Sequence, residues 1–195
     1  MFRKPIATLK GFLGRPEAPP DPRSRRFIAV IECMLNQNAR DTGAACFPAM
    51  NFEVLRLCHE HNIGLLQMPC PEIAALGFER KRPPGQSLRA ALDSAEGRAR
   101  CHELAVETAD RIDAHRARGD DLVAILGGNP RSPGCAVHAT PDGLSDDSGV
   151  FLKALQAELR RRGHEVPFRG MRDYDARLLE EDLAWLRETL SSGQR

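Results

Sequence analysis

Short apolar runs alternate with helical patterns along this chain, and this alternation restricts its fold more than any other feature. The runs are FIAVIEC at 27–33, IGLLQM at 63–68 and DDLVAILGG at 120–128. The first run is rich in β-branched residues and is typical of a strand that is buried on both sides. Because helical segments separate the runs, the strands should lie parallel. The sequence therefore predicts an α/β fold: a single Rossmann-like domain with a mostly parallel sheet flanked by helices.

The helical segments are recognised by their caps and by the spacing of their apolar residues. Residues 51–62 begin with an asparagine suited to an N-cap, and residues 87–118 predict one long helix. A further helix should begin at Ser148, and the closing helix should cover 176–190. The segment GHEVPF at 163–168 is predicted as a fourth strand.

The first residues differ in composition from the rest. Residues 1–26 predict an extended, proline-rich lead-in, and residues 27–195 a single domain. The apolar stretch of the lead-in is broken by Pro5, Lys10 and Gly14, so it does not resemble a signal peptide. No apolar run approaches the roughly 20 residues needed to span a bilayer. We therefore expect a cytoplasmic protein with no membrane partner.

Charge and cysteine content restrict the partners. Lys and Arg number 28 and Asp and Glu 27, which gives a formal net charge of +1 and does not favour a polyanionic partner. The six cysteines are expected in a reducing compartment, where thiols serve metal binding or catalysis more often than disulfides. The leucines of the closing helix either pack in the core or form the seam of a homodimer, so the oligomeric state stays open.

Three of the cysteines follow the three predicted strands. Cys33 ends the first strand, Cys70 ends the second, and Cys135 lies in the loop that leaves the third. The carboxyl ends of parallel strands meet at one edge of the sheet, where ligands are normally bound. Pro69 and Pro71 stop strand pairing and fix the direction of the thiol between them. The ordinary alternative is that these segments are only turns at strand ends.

Soft thiolate ligands leave two metal centres open. Three thiolates could hold zinc with one free position, or an iron–sulfur cubane with one iron not bound by protein. Cys58 and Cys101 fall on the apolar sides of helices and are expected in the core. Cys46, in the first loop, is a spare ligand, a reactive thiol or neither.

Three motifs in order resemble the thiouracil desulfurase family. They are CMLNQNARDTG, PCPE followed by LG, and the strand–loop that ends in SPGC, and the resemblance covers about residues 27–168. It implies a [4Fe-4S] cluster held by Cys33, Cys70 and Cys135. The fourth iron would bind the sulfur of the substrate, which is replaced by oxygen without net redox change.

The resemblance extends to neighbouring residues but has departures. Arg40 and Gly43 match the family's Arg-x-x-Gly, and with Asp41 they are expected to contact substrate. The family commonly shows Ser-Pro-Ser-Cys-Gly and Cys-Leu-Leu-Gly, where this chain has SPGCA at 132–136 and CMLN at 33–36. These changes retain the ligands and leave the substrate preference open.

The residues beside the cysteines suggest a hydrolytic desulfurase that acts on a small thiolated compound, such as thiouracil or a thionucleoside. Glu72 is the first candidate for the base that activates water, and Ser132 is the matching hydroxyl. Asp41 and Glu32 are weaker candidates for the acid. The alternatives are that Glu72 caps the next helical turn and that Ser132 only forms a turn.

Other function classes stay open at this stage. The same cysteines could hold zinc or a labile cluster in a non-enzymatic sensor or structural domain, or remain as thiols in a plain α/β module. A thiolated tRNA is a less favoured partner than a small molecule. Arg80, Lys81 and Arg82 are candidate contacts for the phosphate of a nucleotide or for a tRNA, but a solvated loop is the expected state of this run.

Overall fold

The central sheet has four parallel strands, and it confirms the predicted α/β architecture. The computed structural model describes residues 21–192, so residues 1–20 of the predicted lead-in lie outside the described part. The strands are β1 (Arg26–Ile31), β2 (Gly64–Met68), β3 (Asp121–Gly127), β4 (Ala139–Thr140), β5 (Gly143–Leu144) and β6 (Phe168–Gly170). The sheet order is β2-β1-β3-β6, and β4 and β5 form a separate small hairpin.

Strand β1 lies inside the sheet, between β2 and β3, and so brings the carboxyl ends of these three strands to one edge. It pairs in parallel with β2 on one side and with β3 on the other. Its residues after Arg26 are all buried, which explains the continuous apolar run in the sequence. The chain therefore leaves β1 first toward β2 and later returns to β3 on the opposite side. Such a switch point is where open α/β sheets bind ligands.

Helices cover the two faces of the sheet. They are α1 (Glu32–Leu35), α2 (Phe52–Glu60), α3 (Pro71–Leu76), α4 (Leu88–Leu92), α5 (Ala95–Arg116), α6 (Val150–Arg161) and α7 (Ala176–Ser191), with a 3-10 turn at Gln37–Ala39. Helix α5 packs against α6, and α2 packs against α7. The predicted Asn51 cap of α2 is confirmed, because its side chain accepts a hydrogen bond from the Val54 amide.

The apolar side of α7 belongs to the core. Its four regularly spaced leucines are buried within the chain: Leu179, Leu183, Leu186 and Leu190. Each fully buried leucine contributes about 2 kcal/mol to folding. The leucines are thus used for intramolecular packing, and this side of the helix is not free to form a dimer seam.

The single helix predicted over 87–118 is wrong, because the chain bends between α4 and α5. Ser94 has an extended backbone, and its Oγ accepts a hydrogen bond from the Gly97 amide at 3.1 Å, so Ser94 caps a new helix. A Cβ atom at Gly97 would lie 2.4 Å from the carbonyl oxygen of Ala91, so glycine allows α4 to pack closely on the start of α5.

The fourth strand also lies later than predicted. Gly163 has a φ of +77° and belongs to the turn that ends α6, and Pro167 has no amide hydrogen to donate. Pairing with β3 therefore begins at Phe168. Among the helices of residues 21–192, none is both long and apolar enough to cross a bilayer.

Candidate functional site

The ends of β1 and β2 hold the first two cysteines close to each other. Cys33, predicted at the end of the first strand, lies in α1, two residues after Ile31, the last residue of β1. Cys70 is the N-cap of α3, with Pro71 at the first position of that helix. Proline suits that position because its missing amide hydrogen would have no partner there. The Glu32 carboxylate accepts a hydrogen bond from the Cys70 amide at 2.9 Å. Glu32, a weaker candidate acid, thus joins the two strand ends.

Cys135 reaches the same edge although it lies well beyond the end of β3. The loop after β3 folds back, and the Gly128 amide donates to the Cys135 carbonyl oxygen at 2.8 Å. A Cβ atom at Gly128 would lie 2.6 Å from Cys135 Sγ, a distance that real Cβ contacts do not show. Gly134 packs equally tightly, because a Cβ there would lie 2.5 Å from Pro71 Cγ. The glycines therefore leave room for the thiol and press its loop against α3.

The three cysteines line one cavity of about 400 Å³. The other predicted site residues line it as well: Arg40, Asp41, Gly43, Glu72 and Ser132. The structure thus brings together all eight residues that the sequence predicted for the site. Cys58 and Cys101 are buried elsewhere in the core, as expected from their helical positions.

Burial controls the ionisation of the three thiols. It raises the pKa of Cys33 to about 11, which the nearby Arg40 guanidinium only partly offsets. Burial also raises the pKa of Cys70 and, well above its usual value, that of Cys135. A buried thiolate needs a nearby positive charge, and a bound metal centre is the kind of cation that deprotonates such thiols.

The three thiols are the candidate ligands for a metal centre. Within residues 21–192, no group of three or more His, Cys, Asp or Glu side chains is placed to hold one metal ion. The three thiols nevertheless share one cavity. The cavity thus gathers soft sulfur donors, the ligand type of both zinc sites and iron–sulfur clusters.

Ser132 links the third cysteine to a carboxylate. Its Oγ lies 3.1 Å from Cys135 Sγ and accepts a hydrogen bond from the Cys135 amide at 3.2 Å. The same hydroxyl donates to Glu72 Oε1 at 3.1 Å. Glu72 lies in the first turn of α3, two positions after Cys70, where a carboxylate is also favoured by the helix dipole. Glu72 and Ser132 are therefore neighbours at the cavity wall.

Arg80 holds Glu72 from the other side, and the expectation of a solvated loop is wrong for this residue. Only 3% of Arg80 is exposed, and its Nε donates to Glu72 Oε2 at 3.1 Å. Its Nη2 donates to the Ala39 carbonyl oxygen at 2.7 Å. These bonds hold Arg80 at a φ of +43°, which is uncommon for a residue with a Cβ. Lys81 and Arg82 are exposed, as expected.

A second buried ion pair borders the cavity. The Arg40 Nη2 donates to Asp173 Oδ2, and the two side chains are 6% and 0% exposed. The other oxygen, Asp173 Oδ1, has no hydrogen-bond partner within residues 21–192. Asp173 is not predicted from the sequence, because a single aspartate in the segment RGMRDYD has no neighbouring pattern that would mark it.

The rim of the cavity is formed by exposed residues. Gly43 has a φ of +78°, which allows the tight turn after Arg40, and Asp41 accepts a hydrogen bond from the Thr42 amide within that turn. On another side, Tyr174 is 46% exposed, and the Arg131 guanidinium lies 5.6 Å from its ring centroid. The mouth therefore presents an aromatic face and a cation.

Comparison with known proteins gives a distant likeness. Over 82 residues, the chain is 29% identical to an uncharacterised protein of Methanocaldococcus jannaschii, and the match covers 42% of this chain and 50% of that protein. The chain thus spans about half the length of the curated relative that it matches. No protein-family profile and no solved structure matches the chain. No activity follows from this likeness, because that relative has no described activity.

Proposed function

We propose that this protein is an iron–sulfur-dependent desulfidase. It would replace the sulfur of a small thiolated compound, a thio-nucleobase or thionucleoside such as thiouracil, with oxygen, in the manner of the thiouracil desulfurases that its motifs resemble. The proposal places the protein in the cytoplasm and makes a small molecule, not a thiolated tRNA, its partner.

One observation carries the proposal. Cysteines from three separate strand ends line a single cavity together with a carboxylate and a hydroxyl, the Glu72–Ser132 pair. A structural role in the core would not require the thiols to share a cavity with acid and base groups. Perturbed titratable groups gathered in one cleft are typical of functional sites.

The donor set suits a [4Fe-4S] cluster held by Cys33, Cys70 and Cys135. When bound, such a cluster supplies an iron that acts as a Lewis acid toward the sulfur of the substrate and makes the thiocarbonyl carbon electrophilic. The alternative is a zinc ion held by the same three thiolates with one position open.

Glu72 and Ser132 would handle the protons. Water adds to the thiocarbonyl carbon and loses one proton to Glu72, whose orientation is fixed by Arg80 on one oxygen and by Ser132 on the other. The carbon–sulfur bond then breaks as the carbonyl forms. The departing sulfur takes up the proton held by Glu72, passed on through the Ser132 hydroxyl, together with the remaining proton of the added water. The products are the oxygen analogue and hydrogen sulfide, so no electron is gained or lost.

The cavity suits a substrate of modest size. Its volume of about 400 Å³ lies within the range of roughly 300–1,000 Å³ that small-molecule sites occupy. The ring of Tyr174 at the rim provides a flat surface on which a heterocycle can stack. These features support a planar thiolated base or nucleoside.

The test is sulfide release by anaerobically purified protein. Incubation with thiouracil or thiouridine should yield hydrogen sulfide and the oxygen analogue in equal amounts, without added oxidant or reductant. The Glu72→Gln variant should keep its iron content and lose this turnover. Protein that contains an intact cluster but releases no sulfide from either compound would contradict the enzymatic proposal and favour the sensor alternative.

A further inference from the structure

A fourth cysteine lines the cavity that holds the three proposed ligands. Cys46 lies in the loop between the 3-10 turn and α2, and this cysteine, like the others of residues 21–192, is in no disulfide. Residues 42–45 before it are exposed and belong to no helix or strand. The resemblance to the desulfurases assigns no role to this position.

One buried side chain ties the backbone of Cys46 to that of Cys33. Gln37 is 2% exposed, and its Nε2 donates to the Cys33 carbonyl oxygen at 2.7 Å. Its Oε1 accepts a hydrogen bond from the Cys46 amide at 2.9 Å. A buried amide that is bonded at both ends fixes the distance between the two cysteines.

A second buried side chain fixes the thiol itself. The Arg40 Nη1 lies 3.2 Å from Sγ of Cys46, a residue that is otherwise exposed. The other terminal nitrogen of Arg40, Nη2, donates a hydrogen bond to Asp173 Oδ2. Gln37 therefore joins the backbone of Cys46 to that of Cys33, and Arg40 contacts the Cys46 thiol inside the same cavity. A thiol that only faced solvent would need neither.

We propose that Cys46 is the fourth, exchangeable ligand of the cluster. This inference rests on the proposed function, since it assigns the coordination position that Cys33, Cys70 and Cys135 leave open. With the cluster bound, Cys46 Sγ would take that position and shield the iron. The sulfur of the substrate would replace it there, and the released thiolate would return to the Arg40 guanidinium that it contacts in this structure. One sulfur ligand leaves as another binds, so no oxidation state changes.

The first measurement is the alkylation of Cys46 by iodoacetamide under anaerobic conditions, read by peptide mass spectrometry. In protein loaded with the cluster, Cys46 should be protected, and it should react in cluster-free protein. Addition of excess thiouracil to the loaded protein should restore its reactivity. Cys58 and Cys101, which are buried in the core, serve as unreactive controls in every state.

The second measurement is Mössbauer spectroscopy of iron-57-loaded protein. Wild-type protein should show all irons with sulfur ligands, and the Cys46→Ser variant should show one iron with an oxygen-type ligand. The variant should also lose one iron several-fold faster in air. The Cys46→Ser variant retains Cys33, Cys70 and Cys135 as cluster ligands. A change at one iron can therefore be distinguished from a failure to assemble the cluster.

Three results would overturn the inference. Alkylation of Cys46 at the same rate in loaded and cluster-free protein, while Cys33, Cys70 and Cys135 are protected, would show that Cys46 is not a ligand and would leave the proposed function intact. Protection that persists in excess thiouracil would make Cys46 a permanent ligand. Absence of iron and sulfide from all preparations would reject the proposed function together with this inference.

Discussion

The hydroxyl oxygen of Ser132 lies 3.1 Å from the Sγ of Cys135. This contact places a hydroxyl group directly beside a proposed metal ligand. Because the same hydroxyl donates to Glu72, the contact also connects that ligand to a carboxylate. A reacting sulfur held at the cavity wall would therefore meet both a donor and an acceptor of protons.

The Ser132→Ala variant should keep its iron and lose turnover. Removal of the hydroxyl leaves the cysteines in place but deprives the departing sulfide of its donor, so we expect a fall in turnover of about 100-fold. Loss of the bond to the Cys135 amide should cost about 1 kcal/mol of stability. Ser132→Thr, which retains the hydroxyl, should recover most of the activity. Full turnover in Ser132→Ala would remove Ser132 from the mechanism.

The Glu72→Gln variant tests the proposed base with almost no change in shape. The amide can still accept the Ser132 hydrogen bond but cannot take a proton from water, so turnover should fall at least about 100-fold. Iron content and visible absorption should match those of the wild type. The control is Glu107→Gln, an exposed position on α5, which should behave as wild type. Equal turnover in the two variants would show that Glu72 is not the base.

Arg80 is expected to matter for stability more than its sequence context indicates. Its replacement by Met leaves the Glu72 carboxylate without its buried partner, and breaking such a pair costs about 3 kcal/mol. The melting temperature, followed by circular dichroism, should fall by roughly 10 °C. Arg187→Met, at an exposed position of α7, is the matched control. A fall in melting temperature no larger than that of Arg187→Met would show that the ion pair between Arg80 and Glu72 does not stabilise the fold.

The edge of the sheet can be predicted because the apolar runs that mark its strands are local features of the sequence. Buried strands read as apolar runs, and parallel strand ends must meet, so the convergence of Cys33, Cys70 and Cys135 follows from order along the chain. The break at Ser94 was missed although serine is a common cap, because the apolar spacing continues across it. The cap depends on a backbone turn that spacing alone does not reveal.

Arg80 and Asp173 show what the sequence could not predict. Arg80 stands in a run of three cations, which normally indicates a solvated loop, and its burial depends on Ala39 and Glu72 from other segments. Asp173 meets Arg40 across 133 positions of sequence. Contacts of this kind are decided by tertiary packing, and a single sequence contains no periodicity that records them.

The Gly128→Ala variant should remove the cofactor and retain the fold. The added methyl group would lie 2.6 Å from Cys135 Sγ, so the thiol must move away from its position at the cavity. Iron per chain should fall severalfold, and the far-ultraviolet circular dichroism should be unchanged. Gly64→Ala, where the nearest atom lies at an ordinary 3.4 Å, should keep its iron. Normal iron content in Gly128→Ala would show that Cys135 is not held as a ligand.

The most direct test of a cluster at this sheet edge is the iron and acid-labile sulfide content of anaerobically purified protein. We predict about four irons and about four sulfides per chain in the wild type. Replacement of Cys33, Cys70 or Cys135 by Ala should abolish both together with the visible absorption, and the core variant Cys58→Ala should retain them. One zinc and no iron per chain, or iron that survives all three replacements, would contradict the cluster.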